Sequence, residues 1–88
     1  MEFVLVVADD CPSCDKARAI WESECGARGH RLAVTRADSQ QGTRLLAGQA
    51  LTAVPAVLVN SRIIAVGLQT PGQVRDLLDR HATPGERA

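Results

Sequence analysis

Residues 2–14 read Glu2-Phe3-Val4-Leu5-Val6-Val7-Ala8-Asp9-Asp10-Cys11-Pro12-Ser13-Cys14. The first part, Glu2–Ala8, is a nearly continuous run of aliphatic and aromatic residues. Such a run reads as a strand buried on both faces, at the centre of a sheet. Asp9 and Asp10 end it. Pro12 then stands where the first turn of a helix tolerates proline, because that N–H has no intrahelical partner in any case. A helix is predicted over Ser13–Arg28. Ala17, Ile20, Trp21 and Cys25 recur at three- and four-residue steps, with Asp15, Lys16, Arg18 and Glu22 mostly on other faces. Gly26 and Gly29 mark its C-terminal end.

Downstream, Arg31–Arg36 reads as a half-buried strand with Leu32 and Val34 on one side. Asp38 or Ser39 caps a short helix running through Leu46 and ending at Gly48. Ala56–Asn60 is a second apolar strand, Asn60-Ser61 a two-residue turn, and Ile63–Val66 the return strand of a hairpin. Thr70-Pro71 opens a last helix, with Val74, Leu77, Leu78 and His81 along one face. The expected order is β-α-β-α-β-β-α. A strand–helix–strand opening forces a parallel pair with a right-handed crossover, and the hairpin adds two antiparallel strands. The expected fold is α/β: a four-stranded mixed sheet with helices on both faces. Residues 1–82 are predicted to form one domain. Residues 83–88 read as a flexible tail, broken by Pro84 and Gly85.

Composition narrows the function classes. An 88-residue chain has room for one small core. Ten basic residues balance ten acidic ones, so there is no field of one sign to hold a nucleic acid or an acidic membrane surface. Aromatic content is 2%, Phe3 and Trp21, too little for base stacking. The apolar start is interrupted by Asp9 and Asp10 and lacks a basic leader, so no signal peptide is expected. The uncharged stretch Leu45–Ser61 contains Gly48, Gln49, Pro55 and Asn60 and falls short of a membrane span. Three cysteines are too few, and odd in number, for a disulfide-stapled secreted domain. A cytoplasmic location is therefore expected, where a close Cys pair is catalytic or metal-binding.

That pair is Cys11-Pro12-Ser13-Cys14. A helix N-terminus offers unpaired N–H groups and a partial positive charge, which favour a thiolate over a thiol. Cys11, at the cap, is expected to be exposed and acidified. Cys14, one turn inside, is expected to be the resolving thiol. Asp9 and Asp10 oppose the thiolate. The competing use of a Cys-x-x-Cys is half of a zinc site, which needs two more ligands. Cys25 lies roughly 16 Å along the helix from Cys14, His30 lies further still, and His81 is at the far end of the sequence. No metal site is therefore expected.

The second signal is Val54-Pro55 directly before the apolar strand Ala56–Asn60, since proline opens a strand only at its start or on an edge. With Cys-Pro-x-Cys after the first strand, Val-Pro before the third, then the hairpin, Gly67 and a final helix, the chain resembles the thioredoxin superfamily. It resembles most the short, glutaredoxin-like, redox-active disulfide type, over Glu2 to about Arg80. The resemblance implies a thiol–disulfide oxidoreductase with Cys11 and Cys14 catalytic. It implies that Pro55 is cis and packs beside the sulfurs, and that the Val54 backbone pairs with a bound substrate chain. Pro12, Ser13 and Gly67 complete the implied substrate-binding set. The partners implied are a disulfide-containing protein and an upstream reductase, with the chain a monomer. The sequence also departs from the family. Thioredoxins have a Trp where Asp10 stands and a buried acid in the first strand, which here is wholly apolar from Phe3 to Val7. Glutaredoxins have an aromatic at Ser13 and a Gly-Gly-Asp for glutathione where this chain has Gly67-Leu68-Gln69-Thr70. No cofactor is expected beyond the Cys11–Cys14 pair. Two alternatives keep that pair without turnover: soft-metal or metalloid binding, and a redox-inactive interaction domain. Cys25 and Trp21 read as core, Lys16 as a solvated helix residue, and His81 as surface or partly packed.

Overall fold

Strand β1, Glu2–Val7, lies inside the sheet, hydrogen-bonded on both sides. In the computed structural model, which describes residues 2–48 and 53–82, six further elements follow. They are α1 (Pro12–Arg28), β2 (Arg31–Arg36), α2 (Gln40–Gly48), β3 (Ala56–Val59), β4 (Arg62–Val66) and α3 (Pro71–Ala82). The expected tail, 83–88, lies outside the described residues. The sheet order is β2-β1-β3-β4. β1 runs parallel to β2, from Glu2↔Arg31 to Val7↔Arg36. It runs antiparallel to β3, from Phe3↔Val59 to Val6↔Ala56.

Alternation along the strands divides the interior into two layers. Phe3 and Leu5 of β1 and Val57 and Val59 of β3 face α1 and α3, meeting Ala17, Trp21, Cys25, Val74 and Leu78. Val6 of β1 and Ala56 and Leu58 of β3 face the other way, onto Leu46 of α2. Helices therefore cover both faces. Phe3 and Trp21 stack at 6.2 Å between ring centroids. Full burial of a side chain the size of Phe3 or Leu5 contributes about 1.5–3 kcal/mol, so these two anchor β1 to α1 and α3.

The termini of the elements explain their lengths. Helix α1 ends at Gly29 rather than Gly26: Gly29 takes φ +73°, and the Gly29 and His30 N–H groups donate to the carbonyls of Gly26 and Cys25. Gly29 supplies the left-handed residue such a cap requires. Ser39, not Asp38, caps α2, its Oγ accepting from Gly42 N–H at 3.0 Å. At α3, Thr70 and Gln73 form a reciprocal capping box, at 3.1 and 3.0 Å. Asn60 and Ser61 both adopt positive φ, as a tight hairpin turn demands. An irregularity at Val57/Leu58 brings Arg62 into β4.

The strand Arg31–Arg36 departs from the expected alternation. Leu32, Ala33, Val34 and Thr35 are all half-buried. β2 is an edge strand, so its inward face is only partly covered and its outward face is only partly bare.

Candidate functional site

The register brings the sequence-predicted site residues to one end of the sheet. Val6 pairs with Ala56, and Ala56 with Val66. The chain therefore leaves β1 toward Cys11, enters β3 from Val54-Pro55 and leaves β4 into Gly67, all at the same edge. Helix α1 begins there too.

Cys11 is the N-cap of α1, in extended conformation, with Pro12 in the first turn. Its Sγ accepts a hydrogen bond from the Cys14 backbone N–H at 3.1 Å. Ser13 Oγ lies 3.9 Å from the same sulfur. Asp10, just before it, takes φ +52°, which turns the chain from the strand into the helix. Cys11 is half-buried and Cys14 is 1% exposed. The two sulfurs are joined in a disulfide across a Cα–Cα distance of 5.1 Å. The fold thus places a redox-capable pair at a helix N-terminus.

Pro55 is buried, and the Val54–Pro55 peptide bond is cis. The Pro55 carbonyl accepts from Gly67 N–H at 2.8 Å, which ties the entry of β3 to the exit of β4. Gly67 has φ +81°, a conformation that suits glycine. Val66 and Leu68, on either side of it, are the exposed large apolar side chains among the described residues. Val54 is half-buried against the α2-side layer. A groove of about 430 Å³ between β4 and α3 is lined by Ile64, Leu68 and Leu77 with Gln69, Asp76 and Arg80, and holds neither cysteine.

Of the two acids expected to oppose a Cys11 thiolate, Asp9 is compensated. Arg36, the last residue of β2, donates to Asp9 Oδ2 at 2.7 Å and to both oxygens of Asp38 at 3.1 and 2.9 Å. The guanidinium holds the Asp38 carboxyl below its ordinary range, by hydrogen bonding first and by charge second. Asp38 in turn raises Arg36 further, with Asp9 adding to it. Arg36 and Asp38 were not candidates from sequence. Their pairing with Asp9 spans 27 positions and shows only once β1 and β2 are side by side.

Cys25 is buried in the α1 layer as a free thiol. Burial pushes its pKa up to about 11, partly countered by Arg28. Among the described residues, no group of three or more His, Cys, Asp or Glu could hold a metal ion, and no helix is long and apolar enough to cross a membrane.

This sheet order, the two helical layers and a Cys-x-x-Cys at the first helix N-terminus define a small domain of thioredoxin-like fold. A mutant thioredoxin from Halobacterium salinarum superposes with TM-score 0.74 at 20% identity, over 94% of this chain and 75% of that one. The glutaredoxin-like NrdH-redoxin of Escherichia coli gives 0.62 at 19% identity, over 96% of this chain and all of the other. A thioredoxin-like protein from Clostridium perfringens gives 0.72 at 13% identity, covering 96% and 77%. No protein-family model and no curated protein matches the sequence.

Proposed function

We propose that the chain is a thiol–disulfide oxidoreductase that reduces disulfides in protein substrates. The observation that carries this is the Cys14 N–H aimed at Cys11 Sγ from the first turn of α1. A donor there, together with the helix N-terminal field, stabilises negative charge on Cys11 in the reduced protein.

The Cys11 thiolate attacks one sulfur of a substrate disulfide. The Cys11–substrate bond forms, the substrate S–S bond breaks, and one substrate thiolate leaves. Cys14 then attacks Cys11 Sγ, closing the intramolecular disulfide and releasing the second substrate thiolate. Two electrons pass from the dithiol to the substrate. Because β1 carries no acid between Phe3 and Val7, the Cys14 proton goes to the departing thiolate or to water. An upstream dithiol reductase returns the electrons. Val54, beside Pro55, offers its backbone to an extended substrate segment, as strand addition requires. Gly67 leaves that approach free of a side chain, and Val66 and Leu68 give it an apolar border.

No cofactor is needed for these steps. The Escherichia coli NrdH-redoxin is described as glutaredoxin-like with a thioredoxin-like activity profile, and the Gly67-Leu68-Gln69-Thr70 turn fits that pairing better than glutathione use. With Cys25 buried, no exposed thiol is left to bridge two copies, which fits a monomer, and a cytoplasmic setting keeps the Cys11–Cys14 pair available as a dithiol. The test is dithiothreitol-driven reduction of a protein disulfide. The parent is expected to accelerate it over dithiothreitol alone, and Cys11→Ser to abolish the acceleration. A parent no faster than dithiothreitol would refute the proposal and leave the pair to metal binding or to no chemistry.

A further inference from the structure

Arg36 is the one cation that the β2–α2 connection brings to the cysteine end of the sheet. Its guanidinium bridges two carboxylates from two different loops: Asp9, two residues before Cys11, and Asp38, in the β2–α2 turn. Main-chain bonds hold the same junction. Ala37 N–H donates to the Val7 carbonyl at 2.7 Å, and Ser39 Oγ donates to the Arg36 carbonyl at 2.6 Å. Gly42 packs so closely under that carbonyl that a Cβ would overlap it. The guanidinium therefore sits on a braced backbone although its tip is exposed.

We infer that Arg36 is a positioning residue for Cys11: by binding Asp9 it holds the loop that leads into Cys11 and compensates one of the two carboxylates in that loop. This rests on Cys11 being the attacking thiol. The other charged groups near Cys11 in the chain are Asp10, Asp15 and Lys16, all exposed. From β3 and the β4–α3 connection come Val54, Pro55, Gly67 and Leu68, which carry no charge. Among the described residues, Arg36 is thus the charge from outside the β1–α1 segment that offsets Asp9, and Asp38 shares it.

The test is the pH profile of Cys11 alkylation by iodoacetamide in the fully reduced protein, with Cys11 identified by peptide mapping. Four proteins are compared: parent, Arg36→Gln, Asp9→Asn and the double variant. Arg36→Gln is expected to move the Cys11 midpoint up by about half a pH unit at low salt, the size expected of a partly screened charge in a solvent-exposed loop. Asp9→Asn is expected to shift the parent little. In the Arg36→Gln background it is expected to lower the midpoint most of the way back. An unmoved midpoint in Arg36→Gln, or the same Asp9→Asn shift in both backgrounds, would overturn the inference. Alkylation needs no substrate turnover, so it reads this coupling even if the chain proves to reduce no disulfide.

Discussion

The backbone N–H of Cys14 points at Cys11 Sγ from 3.1 Å, so the buried cysteine of the pair supports the half-buried one through its main chain as well as its sulfur. That asymmetry follows from a helix starting at Pro12. The cap position presents its side chain to free N–H groups, and the position three residues on turns inward.

The first expectation is selective labelling. One equivalent of iodoacetamide at neutral pH should modify Cys11 before Cys14 or Cys25 in the reduced protein. Cys11 has the helix N-terminal donors, whereas Cys25 is buried and held protonated with a pKa of about 11. Peptide mapping checks this, and preferential modification of Cys14 would reverse the assignment of roles.

Cys25→Ala should leave disulfide reduction within a few-fold of the parent and cost about 1 kcal/mol in stability. The alkaline side has a defined sign. Burial raises the folded-state pKa of Cys25 from 9.0 to about 11. Its contribution is therefore complete below pH 9 and is lost as pH rises through 11, because the unfolded thiol ionises first. With Cys11 and Cys14 kept oxidised, the parent's melting temperature should fall more steeply over that window than the variant's. Parallel pH curves would show that Cys25 is not protected by the core.

Two glycines should respond oppositely to alanine. At Gly42 the new Cβ would overlap the Arg36 carbonyl and lie 3.0 Å from Ala37 Cα. Backbone on both sides cannot yield cheaply, so a loss of about 2 kcal/mol or more is expected. Gly26 lies within α1 with nothing within 4 Å of the added atom. Alanine there should stabilise by about 0.5–1 kcal/mol through helix propensity. Thermal melts of the two variants check both signs.

These particulars show where sequence reasoning reached and where it stopped. The strand from Glu2, the Cys11–Cys14 helix start, the Asn60-Ser61 turn and the Thr70-Pro71 cap were legible because each depends on neighbours within a few residues. Ser39 rather than Asp38 as cap was not. Both are good caps, and in the fold Asp38 is engaged by Arg36 while Ser39 Oγ accepts from Gly42 N–H. The even burial of β2 reflects its edge position, which depends on strand order rather than on its own residues. The convergence of Cys11, Val54, Pro55 and Gly67 on one end of the sheet was expected from the family resemblance, and the β1–β3–β4 register supplies it. The Asp9–Arg36 pair had no local signal at all.

Covalent capture of substrate during exchange reads directly which cysteine attacks. Cys14→Ser and Cys11→Ser, each reduced and mixed with a disulfide-containing protein, are resolved by non-reducing electrophoresis and mass spectrometry. A mixed disulfide through Cys11 is expected to accumulate in Cys14→Ser, where the second displacement has lost its nucleophile, and none is expected through Cys14 in Cys11→Ser. Equal capture by both variants, or none by either, would contradict that order of attack.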